Sequence, residues 1–125
     1  MENPSKTILV VDDDPFILDL VSRFLSAKGF RVLTTTDPEK AFSLAELEMP
    51  RLIISDLAMP GLDGFALMQG FRANHATEHI PLVLLTGSDK ISDIERGFAS
   101  GAQLYLLKPV DWAISWPKIE PFLKE

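Results

Sequence analysis

Short apolar runs alternate along the chain with segments in which apolar residues recur at helical spacing. Four runs are dominated by Val, Ile and Leu, at residues 8–11, 52–54, 82–85 and 104–107, and a fifth at 31–35 is β-branched but less apolar. Continuous apolar runs of this length are typical of strands buried on both faces, as parallel strands covered by helices are. The pattern therefore predicts five strands.

The segments between the strands carry the start and stop signals of helices. The first helix is predicted over residues 15–28, with Asp14 as N-cap and Gly29 as its stop, and with an apolar stripe formed by Phe16, Leu20, Phe24 and Leu25. The remaining predicted starts are Asp37-Pro38, Asp63, Ser88 or Asp89, and Asp111. Pro117 and Pro121 predict a break or a kink in the last helix, because proline lacks the backbone donor that a helix interior needs.

Five strands in strict alternation with five helices predict an α/β fold. Such a chain forms right-handed crossovers and a doubly wound parallel sheet with helices on both faces. Doubly wound folds bind their ligands at the carboxyl ends of the strands. The residues that follow each strand are therefore the candidates for chemistry.

Those residues form a non-random set. They are Asp12-Asp13-Asp14 after the first strand, Ser55-Asp56 after the third, Thr86-Gly87 after the fourth and Lys108-Pro109 after the fifth. Asp14 is interpreted as a helix cap, whereas Asp12, Asp13, Asp56 and Lys108 are not placed as caps. If the strands are parallel, these side chains converge on one edge of the sheet.

Clustered carboxylates repel one another unless a cation lies among them. Oxygen ligands of this kind favour Mg²⁺, with Mn²⁺ as the alternative. A lysine and a threonine at the same edge would add a positive charge and a hydroxyl donor, a combination that suits a phosphoryl group. The nucleophile would then be a carboxylate that forms an aspartyl phosphate.

Composition limits the other possibilities. The chain has 125 residues, a formal net charge of −6 and no cysteine. This length predicts a single domain over residues 1–125, with 1–6 as a loose tail. The acidic balance argues against direct nucleic-acid binding, the lack of cysteine excludes disulfides and thiolate sites, and no apolar run approaches the ~20 residues of a membrane span. We therefore expect a cytoplasmic protein.

Four stretches resemble the receiver domain of two-component response regulators, and together the resemblance covers essentially the whole chain. They are ILVVDDDP at 8–15, ISDLAMPGLDG at 54–64, LLTG at 84–87 and YLLKP at 105–109. The resemblance implies a flavodoxin-like (βα)5 fold with strand order 2-1-3-4-5. It also implies phosphoryl transfer from a sensor histidine kinase or a histidine phosphotransfer protein. Beyond promoting its own phosphorylation and dephosphorylation, such a domain is not an enzyme.

The resemblance also implies a role for each matching residue. Asp56 would be the phosphoacceptor, and Mg²⁺ would be bound by Asp13, Asp56 and the Ala58 carbonyl, with Asp12 acting through water. Lys108, the Thr86 hydroxyl and the backbone amides of Ala58 and Gly87 would contact the phosphoryl group. Thr86 and Tyr105 would form the switch, and a downstream protein partner would bind the face made by the fourth helix, fifth strand and fifth helix.

Two positions depart from the family's common pattern. Ala58 has no side-chain hydrogen-bonding group two residues after the acceptor, and Ser88 follows the threonine by two residues. Both positions are linked in the family to the lifetime of the phosphorylated form, so the sequence leaves that lifetime open.

Two other functions remain as alternatives. The order Asp12-x-Asp14, Thr86, Lys108 also resembles haloacid-dehalogenase-type phosphatases, with Asp12 as nucleophile and Asp14 as general acid. That family needs a further acidic pair after the lysine, whereas only Asp111 and Glu120 follow here, and it gives Asp56 no role. The second alternative is an interaction module that works without phosphorylation, against which the intact set of Asp13, Asp56, Thr86 and Lys108 argues.

Overall fold

The computed structural model describes residues 6–56, 58–59, 62–87 and 90–123, with only the backbone described for 58, 59, 62 and 63. The strands of the main sheet are β1 (Thr7–Val11), β2 (Arg31–Thr35), β3 (Leu52–Asp56), β4 (Leu82–Thr86) and β5 (Leu104–Leu107). The helices are α1 (Pro15–Ala27), α2 (Pro38–Glu48), α3 (Gly64–Ala73), α4 (Ile91–Ala99) and α5 (Trp112–Ile119). Two short strands, Ala58–Met59 and Leu62–Asp63, pair as a separate antiparallel hairpin.

The five strands form one parallel sheet in the order β2-β1-β3-β4-β5, so the predicted fold class and strand order are confirmed. β3 and β4 run beyond the apolar runs that predicted them, to Asp56 and Thr86. These two polar residues therefore occupy the last position of their strands instead of the first position after them. They still lie at the carboxyl edge of the sheet.

The core consists of two apolar layers, one on each face of the sheet. Ile8 and Val10 of β1 pack with residues of α1 and α5, whereas Leu9 and Val11 pack with residues of α2 and α3. Successive strand residues point to opposite faces, which explains why the strand sequences are apolar without interruption. Helices on both faces confirm the doubly wound arrangement.

Most of the predicted helix boundaries are confirmed. The side chains of Asp14, Asp37 and Asp111 each accept a backbone N–H at the start of α1, α2 and α5. Gly29 adopts φ 94°, a left-handed conformation that ends the first helix at little steric cost. The predicted start at Ser88 or Asp89 lies outside the described residues, and α4 begins after Lys90, which makes no side-chain cap bond. α3 begins at Gly64, directly after Asp63.

The last helix changes character just before its second proline, whereas it runs through the first. α5 includes Pro117 and ends at Ile119, and residues Glu120–Leu123 continue as a 3₁₀ turn that contains Pro121. The side chains of Ile119 and Leu123 remain buried through this change. Packing onto the sheet thus holds the segment in place although its hydrogen-bond pattern changes.

One expectation about α1 is wrong. Phe16 and Leu20 of the predicted apolar stripe are 73% and 45% exposed, and the buried residues of the helix are Leu18, Val21 and Leu25. α1 carries apolar residues around more than one face, so helical spacing alone cannot choose the face that packs. The contact of α1 with the sheet makes that choice and leaves Phe16 and Leu20 in solvent.

Among the described residues, none of the helices combines the length and the apolar character that crossing a bilayer requires.

Candidate functional site

The candidate site lies at the carboxyl edge of the central strands. Asp12 follows β1, Asp56 ends β3, Thr86 ends β4 and Lys108 follows β5. Because these strands are parallel and adjacent, residues far apart in the sequence meet at this edge. The sheet therefore brings the predicted acidic residues and the predicted lysine together.

Three carboxylates form the centre of the site. Ligand oxygens of Asp12, Asp13 and Asp56 all lie within 4.8 Å of one another. Asp12 is fully buried and Asp56 is 4% exposed, whereas Asp13 is exposed to solvent. The cluster therefore opens to solvent on the side of Asp13.

Lys108 is the cation of this cluster. Its Nζ lies 3.0 Å from Asp12 Oδ2 and 3.3 Å from Asp56 Oδ1. Burial opposes the charge of the ammonium group, but the hydrogen bond to Asp12 and the charges of Asp56 and Asp12 outweigh it and raise the pKa of Lys108 above its ordinary value. Lys108 is therefore fully charged at neutral pH.

The donor set of the site fits a hard divalent cation. Three ionised carboxylates and one ammonium group give the cluster a net charge of −2, which a divalent cation would balance. The clustered ligand atoms are all oxygens, the type that hard cations prefer. Both oxygens of Asp12 already accept hydrogen bonds, Oδ1 from the Asp14 N–H at 2.9 Å and Oδ2 from Lys108. Asp12, Asp13 and Asp56 are the residues that could hold such an ion.

Thr86 ends the strand next to this cluster, and Gly87 follows it. Thr86 is 4% exposed, and its carbonyl accepts the backbone N–H of Lys108 at 2.7 Å, which ties the ends of β4 and β5 together. Gly87 is exposed, and a β-carbon built there would meet no atom of the described residues within 4 Å. The space beside the Gly87 backbone is therefore open to an incoming group.

The two other predicted residues are Ala58 and Tyr105. The backbone of Ala58 belongs to the short hairpin, directly opposite Asp63, and its position follows Asp56 by two residues. Tyr105 is half-buried on β5 and lies opposite Leu84 of β4. It is therefore on the edge strand of the sheet, one strand away from Thr86.

Asp14 is exposed and acts as a cap. Its Oδ1 accepts the N–H of Phe16 at 2.9 Å, which is the role interpreted from the sequence. The described metal-ligand cluster does not include it. This arrangement gives no support to Asp14 as the general acid of a phosphatase.

Sequence reasoning missed an apolar groove beside the site. Lys108 lines this groove of about 380 Å³ together with Phe16, Ile17, Leu20, Pro109, Val110 and Trp112. It could not be predicted from the sequence, because Phe16 and Leu20 belong to the same apolar stripe of α1 as the buried Leu25. The groove places exposed apolar side chains next to the lysine of the acidic cluster.

The sequence matches the family model described as the response regulator receiver domain over residues 8–113. It is 44% identical over 104 residues to the DNA-binding dual master transcriptional regulator RpaA of Synechocystis, covering 83% of this chain and 43% of that protein. It is 38% identical over 107 residues to the response regulator PleD of Caulobacter vibrioides, covering 86% of this chain and 24% of that protein. The chain thus spans less than half the length of these two relatives.

Solved structures of similar chains have the same fold. The chemotaxis protein CheY4 of Vibrio cholerae superposes with a TM-score of 0.87 at 28% identity, covering 93% of this chain and 97% of that one. The beryllofluoride-activated receiver domain of RstA from Klebsiella pneumoniae gives a TM-score of 0.86 at 27% identity, covering 95% and 99%. The similarity therefore extends over nearly the whole of each of these compared chains.

Proposed function

Because this chain belongs to the family of response regulator receiver domains of two-component systems, we propose that Asp56 is its phosphoacceptor and that residues 1–125 act as one phosphorylation-driven switch in the cytoplasm. The observation that carries the proposal is the meeting of Asp12, Asp13 and Asp56 with Lys108. The test is incorporation of one phosphoryl group from acetyl phosphate with Mg²⁺, measured by intact mass and lost when Asp56 is replaced.

The proposed reaction is an in-line displacement. A carboxylate oxygen of Asp56 attacks the phosphorus of a phosphohistidine, a P–O bond forms, and the P–N bond breaks with its electron pair passing to the imidazole nitrogen. Lys108 faces Asp56 at 3.3 Å and would balance negative charge on the transferred phosphoryl oxygens. The Thr86 hydroxyl and the amides of Ala58 and Gly87 would donate to the same oxygens. Mg²⁺, held by Asp13, Asp56 and the Ala58 carbonyl, would supply further charge neutralisation.

The same groups would govern the loss of the phosphoryl group by hydrolysis. The domain would then promote its own phosphorylation and dephosphorylation without acting on another substrate. Family membership favours this reaction over the phosphatase alternative, which requires a different nucleophile. Direct binding of DNA by these residues is not expected, because the net charge of the chain is −6.

Mg²⁺ should stabilise the folded domain, because the metal would bind the clustered carboxylates of the native state and not those of the unfolded chain. At 100 times its dissociation constant, a ligand of this kind adds about 2.7 kcal/mol to the free energy of unfolding. Urea denaturation with and without Mg²⁺ measures the gain. EDTA should abolish labelling by acetyl phosphate and leave the domain folded.

Asp13→Asn is the matched variant for this prediction. It should fold, since Asp13 is exposed, and it should lose the stabilisation by Mg²⁺. Asp93→Asn, a change of the same charge on α4, should retain it. An equal response to Mg²⁺ in wild type and in Asp13→Asn would contradict the assignment of Asp13 as a ligand.

We propose that the phosphodonor protein, a histidine kinase or a histidine phosphotransfer protein, docks across the apolar groove. Phe16 and Leu20 are exposed on α1, and Lys108 lines the same groove while contacting Asp56. A donor segment that covers these side chains would therefore bring its phosphohistidine to the acidic cluster.

A double variant, Phe16→Ala with Leu20→Ala, should affect phosphoryl transfer from a donor protein but not from a small phosphodonor. We expect phosphoryl transfer from a donor protein to slow by about tenfold or more, because each truncation removes apolar contact area worth about 1 kcal/mol or more at an interface. Labelling by acetyl phosphate should not change. Leu47→Ala, at a side chain that is 77% exposed on α2, is the control. Equal slowing with both donors would contradict a docking role.

We propose that the output surface is the face formed by α4, β5 and α5. Ile91, Phe98, Leu107 and Ile114 on these elements are 74%, 47%, 46% and 68% exposed. Tyr105 lies on the same β5 and near α4, since its ring centroid is 6.5 Å from that of Phe98. Movement of Thr86 toward the phosphoryl group, followed by Tyr105, would change this face and its affinity for a downstream protein.

A further inference from the structure

Helix α4 contacts the sheet through a glycine. Of the described α4 residues 91–99, Gly97 is the one classed as buried, while Ile91 and Phe98 are exposed. A β-carbon built on Gly97 would lie 3.0 Å from Leu84 Cδ1 and 3.1 Å from Tyr105 Cδ2. These distances are shorter than the optimal carbon–carbon contact of about 3.5–4.0 Å. The close approach explains why a residue unfavourable to helices lies within α4, in its last turn.

The ring beside Gly97 belongs to the proposed switch. Leu84 and Tyr105 are paired across β4 and β5, and Thr86 follows Leu84 by two residues, so all three side chains point to the same face of the sheet. Diagonal neighbours on one face are within reach of an aromatic side chain. A rotation of Tyr105 toward Thr86 would therefore take place on the face that Gly97 covers.

A contact between α4 and α3 opposes movement of α4 away from the sheet. The guanidinium carbon of Arg96 lies 4.1 Å from the centroid of the Phe65 ring, at the start of α3. Such a cation–π contact links α4 to α3. A shift of α4 away from the sheet to accommodate a larger residue at position 97 would weaken this contact.

We infer that Gly97 is a positioning residue for the switch: without a side chain there, the ring of Tyr105 lies close against α4 beside Leu84, the position from which it would turn toward Thr86 after phosphorylation. The inference rests on the proposed function, because it assigns Gly97 to the transmission of the signal from Asp56. A methyl group at residue 97 would crowd Leu84 and the ring edge and displace the ring from this position. The domain would then accept the phosphoryl group with Tyr105 already displaced, so that the ring would no longer respond to phosphorylation.

Gly97→Ala tests this inference, and Tyr105 provides the signal because it is the single tyrosine of the sequence. Labelling with 3-fluorotyrosine gives one ¹⁹F resonance, which should move when beryllofluoride and Mg²⁺ are added to the wild type. In Gly97→Ala we expect the population of the present ring position to fall about tenfold, since overpacking by one methyl typically has an effect of this size. The resonance should then be displaced already without beryllofluoride, and the beryllofluoride-induced change should be much smaller than in the wild type.

Ser92→Ala is the matched control. It also introduces an alanine into α4, but at an exposed position, so it raises the helix propensity without adding a group beside the sheet. The Tyr105 resonance of this variant should move as in the wild type. Acetyl phosphate should label all of these proteins equally. A full wild-type response in Gly97→Ala would overturn the role of Gly97. A wild-type resonance that does not move, in a protein that is labelled at Asp56, would overturn the Tyr105 switch and with it the role of Gly97, while phosphoacceptance would stand.

A second variant keeps the test decisive if Gly97→Ala folds poorly. Leu84→Val removes the Cδ1 atom that lies 3.0 Å from the built β-carbon, while retaining a residue suited to a strand. In the double variant, Gly97→Ala with Leu84→Val, the methyl group gains room and the response to beryllofluoride should return. A folded double variant whose resonance stayed unresponsive would contradict the steric role.

Discussion

Asp56→Asn should take up no phosphoryl group from acetyl phosphate and Mg²⁺, whereas the wild type takes up one per chain. The amide retains the shape of the carboxylate but is not a competent nucleophile at phosphorus. Asn should also preserve the fold, because Asp56 lies at the end of β3 and its substitution leaves no cavity. Intact-mass measurement over a time course gives the result directly.

Asp14→Asn is the matched control for this variant. Asn is as effective an N-cap as Asp, so α1 should remain intact, and labelling should be equal to that of the wild type. The phosphatase alternative predicts that Asp14→Asn loses activity, because it assigns Asp14 as the general acid. Loss of turnover in Asp14→Asn together with persistent labelling in Asp56→Asn would refute the assignment of Asp56.

Lys108→Met should slow phosphoryl transfer by about 10²–10³-fold, the usual effect of removing one preorganised donor from a developing charge. It should also lower the free energy of unfolding in metal-free buffer by about 1–3 kcal/mol, because the fully buried Asp12 loses a partner at 3.0 Å. Added Mg²⁺ should recover part of this stability. Single-turnover labelling and urea denaturation measure the two effects.

The pH dependence of this loss follows from the pKa of Lys108. The pKa of a lysine that gains partners on folding is raised, so its contribution is complete below the unfolded value of 10.5 and is lost as the pH rises through the higher folded value. The stability difference between wild type and Lys108→Met should therefore be constant from neutral to mildly alkaline pH and should shrink only above 10.5. Lys118→Met, with the same change of charge on α5, should show neither the kinetic nor the stability effect.

The strands and most helix ends could be predicted because their causes are local. A strand that is buried on both faces has no position for a polar side chain, so its sequence is a continuous apolar run. Each helix cap is equally local, because the side chains of Asp14, Asp37 and Asp111 bind backbone N–H groups only two or three residues further along the chain. The change to a 3₁₀ turn at the segment that contains Pro121 has a local cause of the same kind. The carboxylate cluster was also predictable, because parallel strands bring their carboxyl ends to one edge whatever their exact register.

The packing face of α1 could not be predicted. Its apolar residues occupy several faces, and the sequence stripe at Phe16 and Leu20 was the wrong choice. The resulting groove beside Lys108 depends on the position of α1 against the segment after β5, two parts of the chain nearly a hundred residues apart. The contact of Gly97 with Tyr105 is equally hidden, since a lone glycine in a helix has many possible causes.

The sequence by itself determined the fold class of this protein and the residue types at its reactive edge, because burial, capping and strand ends follow from the pattern of neighbouring residues. Only the tertiary structure decided which groups meet: Lys108 with Asp12 and Asp56, Phe16 with the groove, and the backbone of α4 at Gly97 with the ring of Tyr105. Such contacts depend on the distance and angle between packed elements, which shift with every side chain at the interface and are not written in any one segment.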